Sequence, residues 1–177
     1  MKFHCGEAEA RARAGRVRAL GLDVDGVLSD GRLYFSSAGE EMKAFHAHDG
    51  HGLKMLLEAG IEVFIITSRA SPILERRCKD LGIRHLYQGA RDKLAAFEDF
   101  LAREGLAGGQ CCFVGDDLID LPVLLAAGLA CSVANGHEDV RGRCHLVASL
   151  PGGHGAVREI SDFLLRGQGL YPQLPSS

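Results

Sequence analysis

No apolar run in this chain approaches the roughly 18 residues needed to cross a membrane. Basic charge is not in excess either: 20 lysines and arginines stand against 23 acidic residues, a net charge of −3, which argues against a general nucleic-acid binder. None of the six cysteines (Cys5, Cys78, Cys111, Cys112, Cys131, Cys144) forms a C-x-x-C pair. Several lie inside apolar runs, where a free thiol behaves as a small hydrophobe, and this usage predicts a reducing compartment, the cytoplasm by default. Residues 1–18 have no apolar segment of the kind a secretory signal needs; residues 1–16 read as a frayed or partly helical extension. Internal repeats, low-complexity stretches and linkers are also missing. What remains is 177 residues, 46% hydrophobic and 24% charged, enough for one domain with a sizeable core.

The chain is organised around Leu20-Gly21-Leu22-Asp23-Val24-Asp25-Gly26. An apolar run leads into two carboxylates one residue apart, and extended backbone projects residues i and i+2 the same way. Two carboxylates that close need a cation, a proton or both. Metal binding or phosphoryl chemistry follows, with one Asp as nucleophile and the other as proton carrier. A calcium loop counted from Asp23 would need Gly at its sixth and Glu at its twelfth position; those are Leu28 and Tyr34, so that reading fails.

Downstream, Arg32–Phe35 and Met42–Phe45 flank a glycine-containing polar loop and read as a hairpin, about 31–45. An isolated hairpin is marginal in water, so its apolar side is expected against another surface, such as another subunit. Asp49 reads as the N-cap of a helix ended by Gly60. Ile61 to Thr67 forms a buried strand, and Ser71-Pro72 opens a helix closed by Leu81-Gly82. Ile83–Tyr87 is a short strand, Asp92 caps a helix over 93–103, and Cys111–Val114 is a strand ending at Gly115-Asp116-Asp117. A helix through Leu125, strands near 129–133 and 145–147, and a helix over 156–165 complete the domain, 17–168. Residues 169–177 read as a tail. Strands alternating with helices predict an α/β fold, a doubly wound parallel sheet.

Four features then fall at the carboxyl ends of strands: Asp23-x-Asp25, Thr67-Ser68-Arg69, Lys93, and Gly115-Asp116-Asp117-x-x-Asp120. The Thr67 hydroxyl and the amides at Thr67 and Ser68 suit phosphate oxygens. Lys93 neutralises the phosphate, and Asp116 completes an oxygen set suited to Mg²⁺.

On these motifs the sequence resembles the haloacid dehalogenase (HAD) superfamily, and specifically its capless branch typified by 3-deoxy-D-manno-octulosonate 8-phosphate (KDO 8-P) phosphatases. The flanks Val27-Leu28-Ser29-Asp30-Gly31, Gly39-Glu40-Glu41-Met42-Lys43-Ala44-Phe45, Leu118-Ile119-Asp120-Leu121-Pro122-Val123 and Gly152-Gly153-His154-Gly155-Ala156-Val157-Arg158-Glu159 extend the likeness to about 20–168. The resemblance implies a HAD-like Rossmannoid core with the hairpin as its small insertion and no cap domain. It implies Mg²⁺-dependent hydrolysis of KDO 8-P for lipopolysaccharide synthesis. Asp23 matches the nucleophile and a metal ligand, Asp25 the general acid/base whose backbone carbonyl is a second ligand, and Asp116 the third. Thr67 and Lys93 match the phosphate binders, and Ser68, Asp117 and Asp120 support them. Sugar-acid contacts fall on His46, Ala47, His48, Asp49, Gly50, Lys54, Arg69 and Arg77; the two arginines suit a carboxylate, which guanidinium pairs bidentately. A homotetramer is also implied, its hairpins forming a central barrel and a C-terminal segment covering a neighbour's site; the Gly152–Gly155 stretch fits that role.

Two departures stand out. Ser68 replaces the family's usual glycine, adding a side chain near the phosphate, and His48 replaces its frequent arginine, a weaker and pH-dependent partner for a carboxylate. Phosphatases of the nine-carbon 2-keto-3-deoxy-nononate 9-phosphate tend to be acidic at the position of Arg69, so Arg69 favours the eight-carbon acid. The alternatives are another acidic sugar phosphate or a non-catalytic assembly module, for which degraded motifs would be expected. His46, His48 and His51 match no strong zinc spacing, and Cys111-Cys112 reads as core.

Overall fold

Short apolar runs become strands buried on both faces, as a parallel sheet requires. The computed structural model describes residues 1–37 and 41–173. Its strands are β1 (Lys2–Phe3), β2 (Ala19–Leu22), β3 (Tyr34–Phe35), β4 (Glu41–Met42), β5 (Glu62–Ile66), β6 (His85–Tyr87), β7 (Cys111–Val114), β8 (Leu129–Ser132) and β9 (Leu146–Val147). The helices are α1 (Glu7–Ala14), α2 (Ala47–Glu58), α3 (Pro72–Leu81), α4 (Lys93–Glu104), α5 (Leu121–Ala126), α6 (Glu138–Arg141) and α7 (Ala156–Gly167).

Among the described residues one sheet runs β1-β9-β8-β7-β2-β5-β6, parallel except where β1 meets β9. Alternation along the strands divides the core. Val63 and Ile65 face a layer holding Leu56, Leu74 and Leu164, whereas Phe64 and Ile66 face Phe97, Phe100 and Val123. Phe64 stacks on Phe100 with ring centroids 3.9 Å apart. Helices thus cover both faces, as doubly winding demands. From β2 the chain moves to β5 and β6, then returns across to β7 on the other side of β2. The order reverses beside β2, and such a switch point is where open α/β sheets bind ligands.

Between β2 and α2 the described residues insert only the antiparallel β3–β4 pair, and form no cap domain. Leu33, Tyr34, Phe35 and Met42 on this hairpin are exposed. Gly39 and Glu40 of its loop, and residues 174–177 of the tail, lie outside the described residues.

Three expectations are corrected. The first 16 residues are partly helical, as one of the two readings has it, with α1 over Glu7–Ala14, but they are not frayed: β1 pairs with β9, α1 buries Ala10 and Ala14, and the Gln168 side chain donates to the carbonyls of Ala14 and Val17 at 3.0 and 2.8 Å. The buried stripe is alanine, too small to stand out in sequence among Arg and Glu. Asp49 does not cap its own helix. Helix α2 starts earlier, with His46 as N-cap accepting from the His48 amide at 3.2 Å, and Asp49 is buried in its first turn. Nor do Asp23 and Asp25 continue a strand together. The strand ends at Leu22, and the amides of Leu28 and Ser29 both donate to the Val24 carbonyl at 2.9 Å, so Asp25 already lies in a tight turn.

Candidate active site

Strand register sets the site's frame. Leu22 of β2 lies level with Ile65 of β5 and Val114 of β7, which brings Asp23, Thr67 and Asp116 out at the same edge. The Asp23 amide donates to the Val114 carbonyl at 3.0 Å, holding the start of the loop onto β7. Gly26 then turns the chain with φ +97°, and a Cβ there would fall 2.0 Å from an Asp116 carboxylate oxygen. Glycine is needed here both for the left-handed backbone and for the close approach of Asp116.

Lys93, the first residue of α4, reaches into this edge with its side chain almost wholly buried. Its ammonium lies 2.8 Å from Asp23 Oδ1 and 2.7 Å from Asp120 Oδ1. Burial alone would lower the lysine's pKa, but the charges of Asp23 and Asp120 outweigh it and raise it, so the cation is retained. Asp120, fully buried, uses its other oxygen to accept from the amides of Asp116 and Asp117 at 3.0 and 3.2 Å. One carboxylate therefore fixes the lysine and shapes the acidic loop. Asp117 is exposed and caps the turn Leu118–Asp120 by accepting from the Leu118 amide at 2.7 Å.

The electrostatics leave a deficit of positive charge. Burial and the Asp120 charge push the Asp23 carboxyl up to about 6, against the pull of Lys93. Burial and the charges of Asp23, Asp120 and Asp117 push Asp116 up to about 7. Carboxylate oxygens of Asp23, Asp116 and Asp120 lie within 4.8 Å of one another, and Asp116 Oδ1 is buried without a hydrogen-bond partner among the described residues. One lysine cannot satisfy three carboxylates. An oxygen-liganded divalent cation fits this donor set.

Asp25 has a different set of neighbours. Lys43, just beyond β4 and with its side chain 2% exposed, pairs with Asp25 Oδ1, and Arg69 Nε stands 3.6 Å from Asp25 Oδ2. The Arg69 guanidinium also lies 5.8 Å from the centre of the Phe35 ring. The hairpin therefore supplies two side chains to the surroundings of Asp25.

A family model described as haloacid dehalogenase-like hydrolase matches residues 49–128. The chain is 49% identical over 162 residues to 3-deoxy-D-manno-octulosonate 8-phosphate phosphatase KdsC of Escherichia coli (strain K12), covering 92% of this chain and 86% of that protein. The chain belongs to the KdsC family of haloacid dehalogenase-like hydrolases. Among solved structures, the phosphatase of the same description from Yersinia pestis superposes with a TM-score of 0.91 at 44% identity, covering 92% of this chain and 88% of that one. The Moraxella catarrhalis phosphatase, solved in complex with magnesium ion, phosphate ion and KDO, gives a TM-score of 0.91 at 40% identity, with 93% and 94% covered.

In this KdsC-family chain the structure brings together Asp23, Lys93, Asp116 and Asp120, and beside them Asp25 and Arg69. Thr67 is buried at the same edge, its hydroxyl accepting from the Arg69 amide at 3.4 Å, and Ser68 is exposed next to it. Among side chains, the acidic cluster contains Asp120 where the expected ligand set had Asp25, whose part was assigned to its backbone carbonyl. His46, Ala47 and His48 open α2, with Ala47 and His48 exposed and His46 half-buried. Gly50 is buried behind them, beside Arg77, whose guanidinium lies 5.6 Å from the Phe45 ring. Lys54 is not brought in: it lines a surface groove with Lys79, Asp80 and Gly82 near the far end of α3. Asp49 faces away from the edge, into α7. Gly152 and Gly153 pack on the chain's own Gly26–Asp30 backbone, which accounts for these two glycines without a neighbouring subunit.

Lys43 was missed. A lysine in a short polar-flanked strand reads as solvated, and its only signal was its place in the family-specific Gly39–Phe45 flank.

Proposed function

We propose that the chain hydrolyses 3-deoxy-D-manno-octulosonate 8-phosphate to KDO and phosphate, with Mg²⁺ as cofactor, in lipopolysaccharide synthesis. The observation that carries the reading is the buried Asp23 carboxylate, held by Lys93 beside an Asp116 oxygen that has no hydrogen-bond partner among the described residues. Asp23 attacks phosphorus, forming an aspartyl-phosphate as the bond to the sugar oxygen breaks, and Asp25 gives that oxygen its proton. Asp25 then takes a proton from water as the water attacks the same phosphorus, releasing phosphate and restoring Asp23. Lys93, the Thr67 hydroxyl and the nearby amides hold the phosphoryl oxygens. Asp23, Asp116 and the Asp25 carbonyl would hold Mg²⁺, which supplies charge neutralisation to the transferring group.

Arg69, adjacent to Asp25, is the guanidinium we assign to the sugar-acid carboxylate, with Arg77 and the His46–Gly50 turn beside it. The exposed apolar hairpin supports a homotetramer assembled through hairpins, and the six unpaired cysteines fit a reducing cytoplasm. Sedimentation of Met42→Glu against the unsubstituted chain reads the first of these; an unchanged assembly removes the hairpin interface.

Substrate choice is tested by steady-state hydrolysis of the eight-carbon and nine-carbon keto-sugar-acid phosphates side by side. A kcat/KM advantage of at least about a hundredfold for the eight-carbon ester, a contrast in reach of a few paired polar contacts, is expected. Preference for the nine-carbon ester overturns the substrate assignment while leaving the chemistry in place.

A further inference from the structure

Asp49 lies in the stretch that family resemblance assigns to substrate, yet it is 1% exposed. Its Oδ1 accepts from the Arg158 amide at 2.8 Å and its Oδ2 from the Gly155 amide at 3.3 Å. Both donors belong to the first turn of α7, where amides have no partner within their own helix. Gly155, the N-cap of that helix, offers no side chain of its own. A carboxylate from α2 therefore performs the capping that a serine or aspartate at Gly155 would otherwise provide.

The segment that leads into this capped turn is pressed against the catalytic loop. The Gly153 amide donates to the Val27 carbonyl at 3.0 Å, and the Gly152 amide to Asn135 Oδ1 at 2.9 Å. A Cβ on Gly152 would fall 1.7 Å from the Gly26 carbonyl oxygen, and one on Gly153 2.4 Å from the Asp30 amide nitrogen. Gly26 in turn closes on the Asp116 carboxylate. Backbone thus stacks on backbone from the α7 cap to the loop that carries Asp23 and Asp25, with no slack for a side chain.

We propose that Asp49 is a positioning residue for phosphoryl transfer: by fixing the first turn of α7 it seats Gly152–Gly153 on the Gly26–Asp30 loop and so holds Asp23 and Asp25 in place. The proposal rests on the phosphatase reading, and it separates from a substrate-binding role by its kinetics. An aryl ester such as p-nitrophenyl phosphate lacks the sugar acid entirely. A residue that touches the sugar acid affects only the sugar ester; a residue that positions the loop affects both.

In Asp49→Ala, kcat is expected to fall about ten- to a hundredfold on both esters, the range that a misplacement of about 1 Å can produce, with KM for the sugar phosphate changed less than about twofold. Asp49→Asn, keeping one acceptor, is expected to lose less, and Gly152→Ala to reproduce the loss on both esters. If Asp49→Ala does not fold, the Asp49→Asn and Gly152→Ala kinetics decide. Raised KM for the sugar phosphate with unchanged p-nitrophenyl phosphate turnover would place Asp49 against substrate and overturn the proposal. Lowered melting temperature with kcat unchanged on both esters would make it a purely structural cap, which also overturns it. Amide hydrogen exchange over residues 24–30 reads the mechanical link without turnover. Faster exchange in Asp49→Ala is expected even if neither ester proves to be a substrate, and unaltered exchange contradicts the link.

Discussion

Asp23→Asn is expected to reduce phosphate release by about six orders of magnitude, the scale seen when an enzyme's nucleophile is removed, while the protein keeps its fold. An amide of the same shape can still accept from Lys93 but cannot form the aspartyl-phosphate. Stability is expected to move the other way. With its carboxyl raised to about 6 from an ordinary 3.8, folded Asp23 holds a proton more tightly than the unfolded chain does. Folding stability is therefore lost as pH rises from about 4 to about 6, because the charge that forms there is unfavourable in the buried site. Asparagine removes this loss. Thermal melts across that range, without divalent cation, should show a flatter pH dependence in the variant. Turnover retained by Asp23→Asn would remove the proposed mechanism.

Lys93→Met is expected to damage both activity and stability. Methionine fills much of the same space but leaves Asp23, Asp116 and Asp120 without the cation that two of them contact directly. Removing one partner of a buried charge cluster costs about 3–5 kcal/mol, which for a chain of this size lowers Tm by roughly 10 °C. Activity should fall by about a hundred- to a thousandfold, since a positioned donor to the phosphoryl oxygens is lost. Mg²⁺ should raise the variant's Tm by more than it raises that of the unsubstituted chain, because a cation partly replaces the missing charge. A variant with unchanged Tm and kcat would mean that Lys93 is a bystander held by Asp120.

What the sequence made legible, and what it hid, follows from the range of the interactions. The parallel strands were readable because Ile61–Thr67 and Cys111–Val114 are apolar on both faces and end in polar motifs. Asp23, Thr67, Lys93 and Asp116 could be placed together because a doubly wound sheet delivers every strand's carboxyl end to one edge. The partners of Asp49 lie 106 and 109 residues away, and no local pattern distinguishes a carboxylate that caps its own helix from one that caps another. Lys43 was hidden for a similar reason, since only the folded hairpin brings it to Asp25. The alanine stripe of α1 offered too little apolar surface to predict its burial against α7. Gly152 and Gly153 were visible as a glycine pair, but a loop pressed on backbone and a loop free to reach a neighbour have the same composition.

The most direct test of the central claim, that Asp23 carries the phosphoryl group, is to trap the covalent intermediate. The enzyme is mixed with the eight-carbon sugar-acid phosphate and Mg²⁺, quenched in acid within the first turnover, reduced with borohydride and mapped by peptide mass spectrometry. Aspartyl-phosphate is reduced to homoserine, so the account predicts conversion at position 23 that disappears in the presence of chelator. Conversion at another residue, or full turnover with position 23 unmodified, would contradict it.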